Sequence, residues 1–225
     1  MGYGVRIRVR GLRACFTRPE MHAERVSYDV ITPSAARGIL EAVYWKPAIR
    51  WIIDGITVLN PIKFDMIRRN EVASKASYRN AKTAMMTGRG ELGIDVTADR
   101  QQRNTLYLVD VDYLVDAHFE VVRERAGESD TDAKHYNIAL RRLRAGQCFN
   151  QPYLGCREFP AAVSLVEHDD MLPQSCYVGE GEHDLGFMLY DLDFADSVRP
   201  TPLFYRAIMR DGFIDVNAAR TGVIS

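Results

Sequence analysis

The order in which apolar patterns follow one another along the first 150 residues constrains the fold of this chain most. Residues 3–10 alternate apolar side chains with arginines, and this period of two predicts a half-buried strand. A helix follows, because Thr32 suits an N-cap, Pro33 suits the first helical position and Pro47 stops the pattern. Three β-rich segments follow at residues 49–60, 62–71 and 105–122. A second helix at 131–145, for which Thr131 or Asp130 is the predicted N-cap, completes the series.

This series predicts an α+β fold with a ferredoxin-like (RRM-like) βαββαβ domain over residues 1–150, with one additional strand. From residue 147 onward prolines interrupt the chain, and strand-like patterns remain at 185–194 and 203–209. We therefore predict a small β-rich C-terminal domain over residues 151–225. The fold class alone does not define a function.

Two segments allow more than one interpretation. A turn near Val115-Asp116 would divide residues 105–122 into two strands. Residues 72–104 contain six basic residues and three glycines, which favours a mobile basic loop. A surface loop without a function remains the alternative for that segment.

The net charge of −1 hides an uneven distribution of charge along the 225 residues. Residues 1–150 contain 24 Lys and Arg against 18 Asp and Glu, whereas residues 151–225 contain 5 against 12. A basic first part indicates a polyanionic ligand on one side of the protein, although ordinary solvated faces would give the same count. We expect a cytoplasmic protein without a membrane contact, because the sequence lacks an apolar run of 18 residues and a signal-peptide core.

The sequence gives no indication of a metal ion or cofactor. Its four cysteines form no Cys-x-x-Cys pair, so we expect buried thiols and neither disulfides nor zinc. Asp110, Asp112 and Asp116 come closest to a carboxylate cluster, and we interpret them as a solvated strand face. No glycine-rich phosphate loop followed by lysine is present.

His135 differs from the other four histidines because it stands between Lys134 and Tyr136 at the start of a basic helix. A helix N-terminus attracts anions and lowers the pKa of a histidine, which favours the neutral form that a base requires. An exposed histidine without a role is the alternative. RNA offers a reaction for such groups, because its 2′-hydroxyl can attack the adjacent phosphate when a base, a cation and an acid assist.

The sequence resembles the fifth CRISPR-associated (Cas) family, subtype d, also called Dvulg, of type I-C systems. The likeness covers most of the chain and includes the opening strand and the Pro-Thr-Pro-Leu-Phe-Tyr stretch at 200–205. Three unusual motifs carry it in order: Thr-Pro-Ser-Ala-Ala-Arg-Gly-Ile-Leu-Glu-Ala with Tyr-Trp-Lys-Pro at 32–47, Ala-Lys-His-Tyr at 133–136, and Gln-Pro-Tyr-Leu-Gly-Cys-Arg-Glu-Phe-Pro at 151–160.

The resemblance implies a repeat-associated (RAMP) fold and an endoribonuclease that cleaves CRISPR precursor RNA within each repeat. It also implies that the protein stays on the 5′ handle of the mature guide RNA, beside other Cas subunits of the type I-C surveillance complex. The catalytic residues that it implies are Tyr44, Lys134 and His135. In the roles we expect, His135 is the general base, Lys134 steadies the phosphate charge and Tyr44 orients or protonates the leaving oxygen, although any of the three can serve as the acid.

We expect Tyr44 on the polar face of the first helix, together with Arg37 and Glu41, from which it would meet the start of the second helix. Basic side chains elsewhere are expected to contact RNA. They are Arg6, Arg8, Arg10, Arg37, Lys46, Arg68, Arg69 and Arg141.

Several alternatives remain open at this point. Phe16, Tyr28 and Trp45 are candidates for stacking on RNA bases, with core packing as the alternative. The protein can also be a non-catalytic subunit that binds the guide RNA handle. Binding of double-stranded DNA by the same basic face is a third possibility, since phosphate contacts carry no sequence information.

Overall fold

The computed structural model describes residues 3–21, 23–90, 92–194 and 200–225. The elements of the first part are β1 (Gly4–Ala14), β2 (Arg25–Val26), α1 (Pro33–Val43), β3 (Ile49–Val58), β4 (Phe64–Val72), α2 (Tyr78–Thr87), β5 (Arg100–Val121) and α3 (Asp132–Arg144). Those that follow are β6 (Ala162–Leu165), β7 (Glu182–Asp193), β8 (Thr201–Arg210), β9 (Phe213–Asp215) and α4 (Val216–Ala219). None of the described helices is long and apolar enough to cross a membrane.

The sheet confirms the predicted α+β fold. Strands β6, β1, β5 and β3 lie side by side with antiparallel neighbours, and α1 and α3 make the two helical connections of a βαββαβ unit. The same sheet continues from β3 into β9, β8 and β7. Strands from both sides of residue 150 therefore hydrogen-bond into one sheet, and the division into two domains stays a prediction.

The core lies between this sheet and the helices. Val5, Ile7 and Val9 of β1 are buried, as their alternation with arginine predicts. The N-cap of α1 is also as predicted, because Thr32 Oγ1 accepts a hydrogen bond of 3.2 Å from Ala35 N. Burial of the apolar stripe of α1 then fixes the helix against the sheet.

Strand β5 is continuous over 22 residues, so the predicted turn near Val115-Asp116 is wrong. Val115 is paired on both sides, with Ile7 of β1 and Ile56 of β3. The irregular residue is Asp110, whose φ of 52° is uncommon for a residue other than glycine. Near this residue β5 leaves the main sheet and forms a ribbon with β4.

The described parts of the segment 72–104, residues 72–90 and 92–104, contain regular secondary structure and are not a loop throughout. They contain α2, which begins after the Ser77 N-cap and ends at Gly88 with a left-handed φ of 65°. The segment also contains the start of β5, which pairs with β4. The sequence did not predict α2 because this helix has no buried residue and therefore lacks a clear apolar stripe.

The cysteines only partly follow the expectation of buried thiols. All four are free, and Cys15 is buried. Cys156 is half-buried, whereas Cys148 and Cys176 are exposed. Exposure of the last two follows from their position in segments outside the helices and strands.

The 151–160 motif holds the end of β1. Cys15 N donates a 3.0 Å hydrogen bond to the carbonyl of Leu154, which is fully buried. Gly155 lies beside them with a φ of +81°, and a Cβ on this residue would stand 2.0 Å from the carbonyl oxygen of Cys15. Glycine is therefore required here both for its backbone conformation and for the close approach of two chain segments.

We predict that Gly155→Ala destabilises the protein more than Gly146→Ala. Gly146 also has a positive φ, +62°, but a Cβ there would meet nothing within 4 Å. The control substitution therefore adds only backbone strain of about 1–3 kcal/mol, whereas Gly155→Ala adds a backbone clash to that strain. The free energy of unfolding from urea denaturation measures both losses. Equal losses would contradict the role assigned to Gly155.

Candidate active site

Tyr44 is the C-cap of α1 and is buried, with 2% of its surface exposed. Its backbone is held at both ends, since its N–H donates to Leu40 O at 2.8 Å and its carbonyl accepts from Trp51 Nε1 at 2.8 Å. The expectation that Tyr44 shares the polar face of the helix is wrong, because its backbone is already extended (φ −151°, ψ 120°). Helical spacing no longer determines where its side chain points.

His135 lies in the first turn of α3, behind the predicted N-cap Thr131, whose Oγ1 accepts a hydrogen bond of 3.3 Å from Lys134 N. Its side chain is only 1% exposed, so the alternative of a solvent-exposed histidine is wrong. The Nδ1 atom lies 2.8 Å from the Tyr44 hydroxyl, and the edge of Phe119 packs on the ring at a centroid distance of 6.3 Å. Two residues 91 positions apart thus meet in one hydrogen bond.

Burial keeps both members of this pair neutral near pH 7. Loss of hydration lowers the pKa of His135, and the charges of Lys134 and Lys46 lower it further. Asp130 and Asp132 act in the opposite direction. Loss of hydration also raises the pKa of the Tyr44 phenol. The pair therefore consists of a neutral imidazole and a protonated phenol, which suit a base and an acid.

Asp130 lies beside the side chains of Lys134 and His135 at the start of α3. Its Oδ1 lies 3.4 Å from Lys134 Nζ and 3.4 Å from His135 Nε2. Its other oxygen accepts a hydrogen bond of 3.0 Å from Gly127 N, which holds the pKa of this carboxyl below its usual range. Within the described part of the chain, His135 Nε2 is buried and makes no hydrogen bond, so its hydrogen-bonding capacity is unused.

Lys134 is the accessible member of the group. Its side chain is 43% exposed, and Nζ lies 3.2 Å from Ser129 Oγ as well as near Asp130. Both contacts are at the surface and weakly held, so the ammonium can turn toward an anion. The structure thus brings Tyr44 and His135 into direct contact and places Lys134 at their rim.

Arg142 belongs to the site, although the sequence indicated no role for it there. Its guanidinium donates to Val43 O at 2.8 Å and lies 5.3 Å from the centroid of the Tyr44 ring. The signal for this position was its spacing, because Arg142 follows His135 by seven residues and so shares its helix face. Asp130 was considered only as a helix cap.

The arginines of β1 differ in how accessible their charges are. Arg6 donates to Asp116 at 2.5 Å and Arg8 donates to Asp112 at 2.6 Å, whereas Arg10 is exposed. The interpretation of the aspartates as a solvated face is wrong for Asp112, which is 7% exposed, because the facing strand supplies an arginine. Arg6 and Arg8 therefore lie on a sheet face where acidic side chains neutralise their charge.

The other cations expected to bind RNA fall into two groups. Arg37 pairs with Glu41 and Asp191, and Arg69 pairs with Glu158. The remaining three are exposed and have no salt bridge to a described carboxylate: Lys46, Arg68 and Arg141. Whether any of them contacts RNA stays a prediction.

The three candidates for stacking on RNA bases differ in their exposure to solvent. Phe16 and Tyr28 are buried in the core, so the alternative of core packing is correct for these two residues. Trp45 is 50% exposed and is available to a ligand. Within the described residues, no group of three or more His, Cys, Asp and Glu side chains is arranged to hold a metal ion.

Comparison with known proteins identifies the family. The family model for the CRISPR-associated protein (Cas_Cas5), Cas5d, matches residues 4–217. The chain belongs to the Cas5d family. This finding confirms the resemblance carried by the three motifs.

Two curated relatives of this Cas5d chain are named CRISPR pre-crRNA endoribonuclease Cas5d. The protein of Mannheimia succiniciproducens is 48% identical over 219 residues, which cover 96% of each chain. That of Thermus thermophilus is 39% identical over 233 residues and covers 96% of this chain and 92% of its own.

Solved structures agree with the family assignment. A crystal structure described as a CRISPR-associated protein has a TM-score of 0.67 at 27% identity, covering 94% of this chain and 90% of its own. A Streptococcus mutans protein described as functionally uncharacterized has a TM-score of 0.66 at 26% identity with the same coverage. The chain therefore shares its fold with these two proteins along nearly its whole length.

We predict that Asp130→Asn lowers the pKa of His135 more than Asp132→Asn does. Both substitutions remove a negative charge that favours the imidazolium, but Asp130 has the larger effect and lies 3.4 Å from Nε2. Titration of the His135 ring by NMR measures the change in each variant. A pKa that rises, or that responds equally to both substitutions, would contradict the arrangement described for Asp130.

Proposed function

We propose that this chain is a metal-independent endoribonuclease that cleaves CRISPR precursor RNA within its repeats by attack of a 2′-hydroxyl. The observation that carries the proposal is the 2.8 Å contact between Tyr44 and His135, with Lys134 next in sequence. These are the residues that the family resemblance implies as catalytic. The names of the two curated relatives, both pre-crRNA endoribonucleases, support the same substrate.

The proposed reaction begins at His135. In the reactive tautomer Nδ1–H donates to the Tyr44 oxygen, which leaves the lone pair of Nε2 open. Nε2 takes the proton of the 2′-hydroxyl, and the 2′-oxygen attacks the adjacent phosphorus. Asp130 then stabilises the imidazolium, because its carboxylate lies beside Nε2.

Lys134 and Tyr44 complete the step. The Lys134 ammonium turns from Asp130 to the phosphate and stabilises the charge that develops on its oxygens. As the bond from phosphorus to the 5′-oxygen breaks, the Tyr44 hydroxyl gives its proton to that oxygen. The products are a 2′,3′-cyclic phosphate and a 5′-hydroxyl, and the imidazolium returns a proton to Tyr44 through Nδ1. No water or metal ion takes part in this sequence.

We further propose that the protein stays on the 5′ handle of the mature guide RNA beside the other Cas subunits of a type I-C surveillance complex. Exposed cations supply the first phosphate contacts in this account: Arg10, Lys46, Arg68 and Arg141. Arg6, Arg8, Arg37 and Arg69 are held by carboxylates, and a phosphate must compete with these ion pairs.

One observation favours a second function, in which the protein binds the guide RNA handle without cutting it. Both Tyr44 and His135 are almost inaccessible, at 2% and 1% exposure. Cleavage therefore requires that the substrate displaces part of their cover, whereas handle binding does not. The following experiment separates the two functions.

We predict that purified protein cleaves a labelled repeat RNA in excess EDTA and fails on the same RNA with a 2′-deoxy substitution at the cleaved nucleotide. His135→Ala and Tyr44→Phe each remove an acid–base group and should lower the single-turnover rate by about 10²–10⁴-fold. His168→Ala, at an exposed histidine outside the site, serves as the control and should cleave at the normal rate.

Cleavage is followed by gel electrophoresis, and RNA affinity is measured in parallel for every variant. Tight binding by the wild-type protein without cleavage would overturn the enzymatic proposal and leave the handle-binding function. Cleavage that EDTA abolishes and added Mg²⁺ restores would contradict metal independence alone.

A further inference from the structure

A groove of about 500 Å³ opens between α1, β3 and the end of β7, next to the Tyr44 backbone. Three aromatic residues and a proline are among those that line it: Trp45, Trp51, Tyr190 and Pro47. The volume falls within the range of about 300–1,000 Å³ that small-molecule sites occupy. Two of its lining residues, Arg37 and Trp45, are among those that the sequence analysis expected to contact RNA.

The groove and the candidate active site share one segment of chain. Tyr44 has an extended backbone, so its side chain and that of Trp45 leave the chain in opposite directions. Tyr44 points toward His135, and Trp45 lines the groove. Lys46, between Trp45 and Pro47, is near enough to His135 to lower the pKa of that ring. A ligand in the groove therefore lies close to the Tyr44–His135 pair.

Trp45 is well placed to present its indole. The side chain is 50% exposed, whereas Trp51 beneath it is only 2% exposed. The Trp51 indole N–H donates to Tyr44 O at 2.8 Å, and this hydrogen bond fixes the peptide that precedes Trp45. An exposed aromatic ring on a fixed backbone is a suitable stacking platform.

Among the described residues, charges of both signs line the groove, four arginines and three carboxylates. Two of the arginines are neutralised: Arg37 by Glu41 and Asp191, and Arg50 by Glu120. Arg125 and Arg220 form no salt bridge to any carboxylate that the structure describes. Two uncompensated guanidinium groups beside an aromatic ring favour a ligand that carries both phosphates and planar bases.

We propose that this groove holds an unpaired nucleotide of the RNA next to the scissile phosphate, with its base stacked on Trp45 and its backbone contacting Arg125 and Arg220. The inference rests on the proposed function and assigns one unpaired nucleotide of its substrate to this groove. Stacking tolerates every base, so this contact supplies affinity and position and does not read the sequence.

The test uses full-length protein and a repeat RNA with a 2′-deoxy substitution at the cleaved nucleotide, so that binding is measured without cleavage. The chain contains two tryptophans, and Trp51 is buried, so a change in tryptophan fluorescence on binding reports on Trp45. We expect quenching in the wild-type protein and loss of that signal in Trp45→Phe.

The affinity of Trp45 variants for the repeat RNA distinguishes base stacking from a purely structural role of Trp45. Trp45→Ala should weaken binding of the repeat RNA about tenfold or more, whereas Trp45→Phe retains an aromatic ring and should stay within about threefold. Phe149→Ala changes an aromatic side chain that is 79% exposed and outside the groove, and it should bind normally. Arg125→Gln should reduce the slope of log affinity against log salt by about 0.7, the value for one contact to a single strand.

An abasic scan of the same RNA identifies the stacked nucleotide. Removal of that base should weaken wild-type binding as much as Trp45→Ala does, and the two changes together should have no additional effect. Normal RNA affinity and cleavage by Trp45→Ala would overturn this inference alone and leave the groove to a protein subunit. Failure of the wild-type protein to bind the repeat RNA would overturn the proposed function as well.

Discussion

The hydrogen bond between the Tyr44 hydroxyl and His135 Nδ1 is the interaction on which the arrangement of the site depends. It joins the end of α1 to the start of α3, where both side chains are almost fully buried. A buried polar group without a partner costs about 1–3 kcal/mol, and each of these groups satisfies the other. The same burial keeps the imidazole and the phenol neutral, so packing and proposed chemistry arise from one contact.

Charge in this protein has two different roles. On β1 and β5, arginines and aspartates neutralise each other across the sheet, as in the pairs of Arg6 with Asp116 and Arg8 with Asp112. At the groove beside Trp45, Arg37 and Arg50 are paired with carboxylates in the same way, whereas Arg125 and Arg220 have no salt bridge to a described carboxylate. The basic character of the first 150 residues therefore overstates the surface available to RNA at the sheet. Count and sign of charge alone do not distinguish these cases.

Local signals in the sequence were sufficient to predict most helices and strands, but not the tertiary contacts between them. The alternation in β1 and the caps at Thr32 and Thr131 each depend on neighbouring residues, and the structure confirms them. The continuity of β5 depends on its pairing with the distant strands β1 and β3, and the burial of Tyr44 depends on α3. Family resemblance supplied Tyr44, Lys134 and His135, whereas only tertiary structure revealed Asp130 and Arg142 beside them.

The most direct test of this account is a structure of the protein bound to a repeat RNA with a 2′-deoxy substitution at the cleaved nucleotide. The account predicts that the C2′ atom of that nucleotide lies within about 4 Å of His135 Nε2, since a hydrogen-bonded 2′-oxygen would lie between them. It also predicts that Lys134 Nζ leaves Asp130 for the scissile phosphate. A scissile phosphate bound elsewhere, for example along the β1 arginines with the Tyr44–His135 pair still covered, would contradict the central claim.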